Sequence, residues 1–307
     1  MNVEKITADL YSKLQTNGIK GRIVSTRHLS ELQKDIEKRY KGGALCEEFY
    51  RERLTYFDFS VPESLPEAES IIMVAAPQPQ IRVGFSRYGK SYHFLIPPTY
   101  SYDTDEQARN LLLSVLEPQG YNLVDTKLPV KLLAVHSGLA RYGKNNITYI
   151  DGMGSFHRLK SFYTDLPCTE DKWIELQALE KCTNCSACVK ICPGDAISRD
   201  RFLIHAEKCL TFHNERQNEF PEWIDPSSHN CLIGCLDCQL VCPLNKDFIN
   251  RIENREEFSE EETNLILQGK PKDKLPVETV EKIQRLELLE DLELLSRNLK
   301  VLFNKYR

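Results

Sequence analysis

Apolar residues in the first 170 positions recur with two different periods. Spacings of three and four over residues 3 to 16, 28 to 40 and 104 to 117 predict helices, and PVKLLAVHSGL is apolar at the same spacing. GRIV, SIIMVAAP, YNLVD and ITYI read as strands. Helices alternating with short strands make residues 1–170 an α/β domain. Within it lies GFSRYGKSYHFLIPPTYSYDTD, where Tyr, Pro and Gly interrupt any period; an irregular loop is expected, of a kind that often lines sites. Beyond residue 250 the pattern is helical again. Ser259 and Glu262 form a Ser-x-x-Glu capping box, and LPVETVEKIQRLELLEDLELLSRNLKVLF carries leucines at the spacing of a packed helix face. Residues 251–307 are expected to form a short helical tail of two helices.

Residues 171–250 fit neither period. They hold nine of the eleven cysteines: four in KCTNCSACVKICPG and four in CLIGCLDCQLVCPLN, two strings that share the ending Cys-x-x-Cys-x-x-x-Cys-Pro, and the lone Cys209 between them. Few long apolar runs remain once these are set aside, so the core of this piece is expected to be inorganic. Zinc sites use pairs of Cys-x-x-Cys, whereas a 4Fe-4S cube asks for three thiolates presented in succession by one loop. Cys182, Cys185 and Cys188 do that. Cys192, three residues on and before Pro193, is placed as the ligand that crosses to a neighbouring cube. By reciprocity Cys242, before Pro243, completes the first cube. The second takes Cys192, Cys235, Cys238 and one more, either Cys231 or Cys209. The loop from Cys231 is one residue longer than a plain ferredoxin uses, while Cys209 ends a strand-like RFLIHAEKC that could swing it back. Paired cubes move single electrons at low potential, so this pair feeds something.

The 307 residues, 41% hydrophobic and 28% charged, suit one large and one small domain, or two domains and a tail. No apolar run approaches the roughly 18 to 20 residues of a membrane span, and no export signal is visible. Cysteines at ligand spacings imply a reducing compartment, hence a cytoplasmic protein without a membrane partner. The net charge of -5 with no Lys/Arg block counts against nucleic-acid binding, which draws most of its affinity from phosphate neutralisation.

CTNCSACVKICPGDAI, the lone cysteine of AEKCLTF, and GCLDCQLVCPLNK resemble the epoxyqueuosine reductases and their relatives, cobalamin-dependent iron-sulfur reductases that include the reductive dehalogenases. SIIMVAAP, RYGKSYH and LAVHSGLARYGKNNITYIDGMGSFHRLKSFYTDLP resemble that family's cofactor domain, so the likeness runs from about residue 65 to 250. It implies a nitroreductase-like α/β corrinoid-binding domain, a ferredoxin-like double 4Fe-4S domain over 171–250, and a short C-terminal helical segment. It also implies the ligand sets Cys182, Cys185, Cys188 and Cys242, then Cys192, Cys209, Cys235 and Cys238. Cys231 is left as a small buried residue.

The implied cobalamin is base-off, and the chain has no Asp-x-His-x-x-Gly by which a histidine would replace the base. Asp125 stands where the family has Val-Asp-Ser, with one residue fewer before the following Leu-Ala. The resemblance makes it the proton donor, burial being expected to raise its pKa; the alternative is a strand-end aspartate in a turn. Lys144 and Asn145 match the family's Gly-Lys-Asn or Gly-Lys-His, which implies contact with the corrinoid side chains, shaping a turn being the alternative; Tyr92, in the matching RYGKSYH, is a further candidate contact to the cofactor. His136 and His157 are candidates to face the cofactor, with a purely structural role as the alternative. Gly152 and Gly154 suit a turn better than a phosphate cradle.

Two departures bear on the substrate. HFLIPPTYSYD is unlike the family's short connection, and the C-terminal helix pair stands where tRNA-acting members often continue into helical repeats. With the acidic balance these disfavour tRNA, leaving a small molecule or modified nucleoside. The expected function is a cobalamin-dependent reductase supplied by a low-potential donor such as ferredoxin or flavodoxin. The alternatives are a corrinoid-free electron-transfer protein and an activator of another corrinoid protein. The size of the α/β domain favours the enzyme, since two cubes need only about 60 residues.

Overall fold

The structure, a computed structural model, describes residues 2–305. Its strands are β1 (Lys20–Ser25), β2 (Ser70–Pro77), β3 (Gln80–Arg87), β4 (Lys90–Ile96), β5 (Leu123–Asp125), β6 (Arg141–Tyr142), β7 (Thr148–Tyr149), β8 (His157–Thr164) and β9 (Ile252–Phe258). Residues gather into two compact units. The first takes the described parts of Met1–Gln78, Tyr102–Cys185 and Asp200–Leu203; the second takes Pro79–Ser101, Ser186–Arg199 and the described part of Ile204–Arg307.

The first unit is built on an antiparallel sheet of order β1-β2-β8-β5. SIIMVAAP is apolar at nearly every position because β2 lies inside the sheet and both its faces are covered. Ile72, Val74 and Ala76 share a core with Leu10 and Leu14 of helix Val3–Thr16 and with Leu112 and Leu116 of helix Asp103–Leu116. The alternate residues Ile71, Met73 and Ala75 join Leu32 and Ile36 of helix Leu29–Lys41 and Leu132 and Leu133 of helix Val130–His136. The period of two thus divides one apolar run between two helical layers. The segment after β8 is fastened back by Trp173, whose ring stacks between those of His28 and His136 at centroid distances of 4.2 and 4.7 Å, and by Asp171, 2.9 Å from His28 Nε2.

The second unit holds a sheet of order β4-β3-β9, with β3 and β4 antiparallel and β9 parallel to β3. Residues 80–96 are therefore a hairpin and not the irregular loop expected from GFSRYGKSYHFLI. The division also differs from the expected boundaries at 170 and 250. Pro79–Ser101 belongs with the C-terminal residues because β3 takes its second partner, β9, from Ile252–Phe258. The helical tail is in turn a strand followed by helices Glu260–Leu267, Val277–Arg285 and Leu292–Asn304. Its leucine stripe is a packed face: Leu295, Leu299 and Leu302 are buried against Phe94, Ile96 and Phe258.

The expected capping box is formed in full. Ser259 Oγ accepts from the Glu262 backbone at 3.2 Å, and Glu262 accepts from the Ser259 N–H at 2.8 Å. The same carboxylate accepts from Thr279 and from Lys282 Nζ, each at 3.0 Å, tying two helices together. Ser259→Ala should lower stability by about 1 kcal/mol. Glu262→Ala should cost more, ~2 kcal/mol, because it also strips partners from Thr279 and Lys282. Urea midpoints at unchanged m-value check the order of the two effects, and equal losses would contradict the shared role of Glu262.

Candidate functional site

The two cysteine strings fold alike where they end alike. Cys192 (φ -64°, ψ 114°) and Cys242 (φ -72°, ψ 122°) adopt the same extended backbone, which the following proline requires. Each carbonyl then accepts from the residue three further on, Asp195 at 3.2 Å and Asn245 at 2.9 Å. The short helices before them, Ala187–Ile191 with Cys188 and Asp237–Leu240 with Cys238, lie against each other. The structural repeat is thus real and local to the second unit. The first string straddles the division: Cys182 and Cys185 fall at the end of the first unit, Cys188 and Cys192 in the second.

Cys209 reaches the site without the strand expected from RFLIHAEKC. Residues 200–203 dock on the first unit, where Asn146 donates to the Phe202 carbonyl at 2.7 Å and the Phe202 ring meets Tyr142 edge-on. The chain then turns through Ala206–Lys208 and presents Cys209 at the start of helix Leu210–Asn214. What lets it close on Cys192 is Gly194. A Cβ there would stand 2.0 Å from the Lys208 carbonyl oxygen, so only glycine admits this approach. Cys209 feels Cys192 electrostatically, and Cys235 feels Cys209.

Burial pushes the Cys209 thiol up, and it pushes Cys235 up to about 12. Thiolate at these positions therefore needs positive charge close by, which bound iron supplies. Donors suited to a thiolate are in place: the Ala196 N–H lies 3.3 Å from Cys192 Sγ, and Asn230 Nδ2 lies 3.4 Å from Cys235 Sγ. Among the described residues no three His, Cys, Asp or Glu converge as ligands of one ion would. A cube, which spreads its thiolates over several iron atoms, does not ask for that convergence.

Cys231 is fully buried, beside Leu95 of β4, and its Sγ donates to Asn230 Oδ1 at 3.0 Å. Burial first, then the charge of neighbouring Cys235, pushes this thiol well above its ordinary range. The loop carrying it is braced from behind by Asn298, which donates to the Leu232 and Asn214 carbonyls at 2.9 and 3.0 Å. Tyr100, from the aromatic stretch expected to line a site, does lie here. Its hydroxyl donates to Glu215, and its ring covers Gly234, whose φ of 69° suits glycine alone.

The candidates for proton donation and cofactor contact lie apart from these cysteines in kind. Asp125, 48% exposed, pairs with Lys160 at 2.8 Å and with Arg109. Partial burial pulls its pKa upward, but the hydrogen bonds and charges of Lys160 and Arg109 outweigh it and hold the carboxyl below its usual range. The upward shift expected of a proton donor is therefore reversed. His157 is buried, with Nε2 3.0 Å from Thr148 Oγ1 and Nδ1 3.2 Å from the Gly154 carbonyl, and burial drives its pKa down to about 4. His136 Nδ1 is 2.7 Å from the Ile174 carbonyl. Asn145 is buried and donates to the Tyr149 hydroxyl at 3.1 Å, with Lys144 half-buried on the same turn. Tyr92, on β4 in the second unit, meets Phe303 edge-on. Sequence reasoning missed Gly194 and Asn230, each a single residue without a repeat to mark it.

Residues 181–245 match the family model described as a 4Fe-4S double cluster binding domain. Over 230 residues the chain is 29% identical to the epoxyqueuosine reductase of Atelocyanobacterium thalassa (isolate ALOHA), covering 71% of this chain and 73% of that one. Further curated relatives of the same name are matched over about a third to just over half of their length. In fold it is similar to the epoxyqueuosine reductase of Streptococcus thermophilus, with a TM-score of 0.65 at 17% identity over 97% of this chain and 80% of that one. It is also similar to an epoxyqueuosine reductase solved with an epoxyqueuosine-modified tRNA-Tyr stem loop, at a TM-score of 0.60 and 22% identity over 80% of this chain and 67% of that one. In sequence and in fold the chain is similar to proteins named epoxyqueuosine reductase, and its residues 181–245 match a 4Fe-4S double cluster binding domain.

Proposed function

We propose that the protein is a reductase that passes electrons through two 4Fe-4S clusters to a base-off corrinoid, which reduces the substrate. The observation that carries the redox half is the gathering of the half-buried Cys192, Cys209 and Cys235, with N–H donors aimed at the sulfurs of Cys192 and Cys235. The proposed ligand sets are Cys182, Cys185, Cys188 and Cys242 for one cluster, and Cys192, Cys209, Cys235 and Cys238 for the other. Cys231 is left out, since its Sγ–H is engaged by Asn230 and its backbone is held beside β4.

When bound, a corrinoid supplies a cobalt centre that accepts electrons singly and delivers them to carbon-centred chemistry. The chain's histidines suit a base-off form. His157 has both ring nitrogens engaged and is not presented as a metal ligand, while His136 is held through Nδ1 by the Ile174 carbonyl and stacks on Trp173. Lys144, Asn145 and Tyr92 are the proposed contacts to its side chains. Asp125 keeps its proposed place near the chemistry, but at neutral pH it enters as an anion paired with Lys160 and Arg109, and it donates a proton only once those cations are drawn away. The named relatives favour epoxyqueuosine in tRNA as substrate. That is set against the acidic net charge, which favoured a smaller molecule.

Anaerobic reconstitution with iron, sulfide and hydroxocobalamin, followed by desalting, should leave cobalt bound with a base-off spectrum; protein that retains iron but no cobalt would refute the corrinoid step. Turnover of epoxyqueuosine-modified tRNA by the loaded protein then decides the substrate. For the ligands, Cys209→Ala and Gly194→Ala should each retain about half the wild-type iron, whereas Cys231→Ala should retain all of it. The reverse pattern for the two cysteines would overturn the assignment.

A further inference from the structure

Asn230 stands just outside the second cysteine string and takes part in no helix or strand, yet its side chain bridges two cysteines. Its Oδ1 accepts from Cys231 Sγ and from the Leu236 backbone N–H, both at 3.0 Å. The Leu236 N–H can only donate, so it fixes which end of the amide is oxygen. The NH2 end must then face the other way, and there it meets Cys235 Sγ at 3.4 Å, the Ser228 carbonyl at 3.4 Å and the Asp237 carboxylate. A side-chain amide is thus clamped with its donor end on a sulfur.

We propose that Asn230 is a positioning residue that sets the reduction potential of the cluster ligated through Cys235, by donating to that sulfur, and that Cys231 serves as a prop for the amide. The inference rests on the cluster assignment above. Reduction adds one negative charge that is spread over the cluster and its sulfurs, and an N–H aimed at one sulfur stabilises the reduced form more than the oxidised one. Loss of the donor should therefore lower that cluster's potential and leave the other's unchanged. A net hydrogen bond of ordinary strength changes an equilibrium several-fold, up to about tenfold, and tenfold is about 59 mV for one electron.

The test uses the full chain, reconstituted anaerobically with iron and sulfide, with both cluster midpoints read by potentiometric titration under electron paramagnetic resonance. Asn230→Asp keeps the shape and the acceptor for Leu236 while replacing the donor by an anion; Asn230→Ala removes the donor without adding charge. The expected result is a lower midpoint for one cluster in both variants, more so in Asn230→Asp, with wild-type iron content. If Asn230→Asp loses a cluster, Asn230→Ala alone decides. Unchanged midpoints, or equal shifts in both clusters, overturn the proposal. Wild-type protein that holds no iron would instead refute the cluster assignment on which it stands.

Discussion

The second unit is organised around one electrostatic difficulty, the concentration of thiol groups in a half-dry interior. Burial, with the nearby charge of Asp237, drives Cys235 up to about 12, and burial raises Cys209, so the resting preference of these groups is to stay protonated and apart. Bringing them together as thiolates requires compensation from bound cations and from fixed dipoles. The fold provides the dipoles in advance, as the Ala196 N–H at Cys192 and the Asn230 amide at Cys235. It also removes the steric obstacle, by placing glycine where the Lys208 carbonyl comes closest.

Those local devices hold their positions only because distant parts of the chain brace them. Asn298 on the last helix donates to the Leu232 carbonyl next to Cys231 and to the Asn214 carbonyl at the end of the helix that follows Cys209, and Arg297 donates to the His213 carbonyl of that same helix at 3.0 Å. Leu232 N–H closes on the Leu95 carbonyl of β4 at 2.8 Å. A buried loop with this many polar backbone groups must satisfy them one by one, and here the C-terminal helix and the hairpin supply the partners. The leucine stripe on that helix is thus part of the site's support as well as of its own packing.

What was legible in the sequence follows the range of the interaction involved. Helix Val3–Thr16, β1, β2 and the capping box at Ser259 are specified by periods and short-range bonds, and each forms where those patterns put it. The hairpin of β3 and β4 was not legible, because Gly84, Ser86 and Arg87 dilute its pattern and its second partner lies more than 150 residues away. That partner, IENREEF, is an edge strand whose charges guard it against further pairing, and charge is what hides it as a strand. At the site, the cysteines announce themselves by repetition. The approach of Cys209 does not, since it depends on one missing methyl group at Gly194 and on the docking of residues 200–203 by Asn146.

Asp125 shows the same limit in electrostatic form. Its place in NLVDT gave a strand-end carboxylate, and burial alone would have raised its pKa as a proton donor needs. The opposing cations come from elsewhere, Arg109 from the helix Asp103–Leu116 and Lys160 from β8, whose neighbour Arg158 pairs with Asp105 through two bonds of 2.9 Å. Three cations and two carboxylates thus alternate along one edge of the first unit's sheet. In such a row each carboxylate is worth more as an anion than as an acid, because protonating it releases two cations into mutual repulsion. Under the proposed function, the proton for reduction would come from a group outside this row, or from Asp125 once one of its cations has been drawn away.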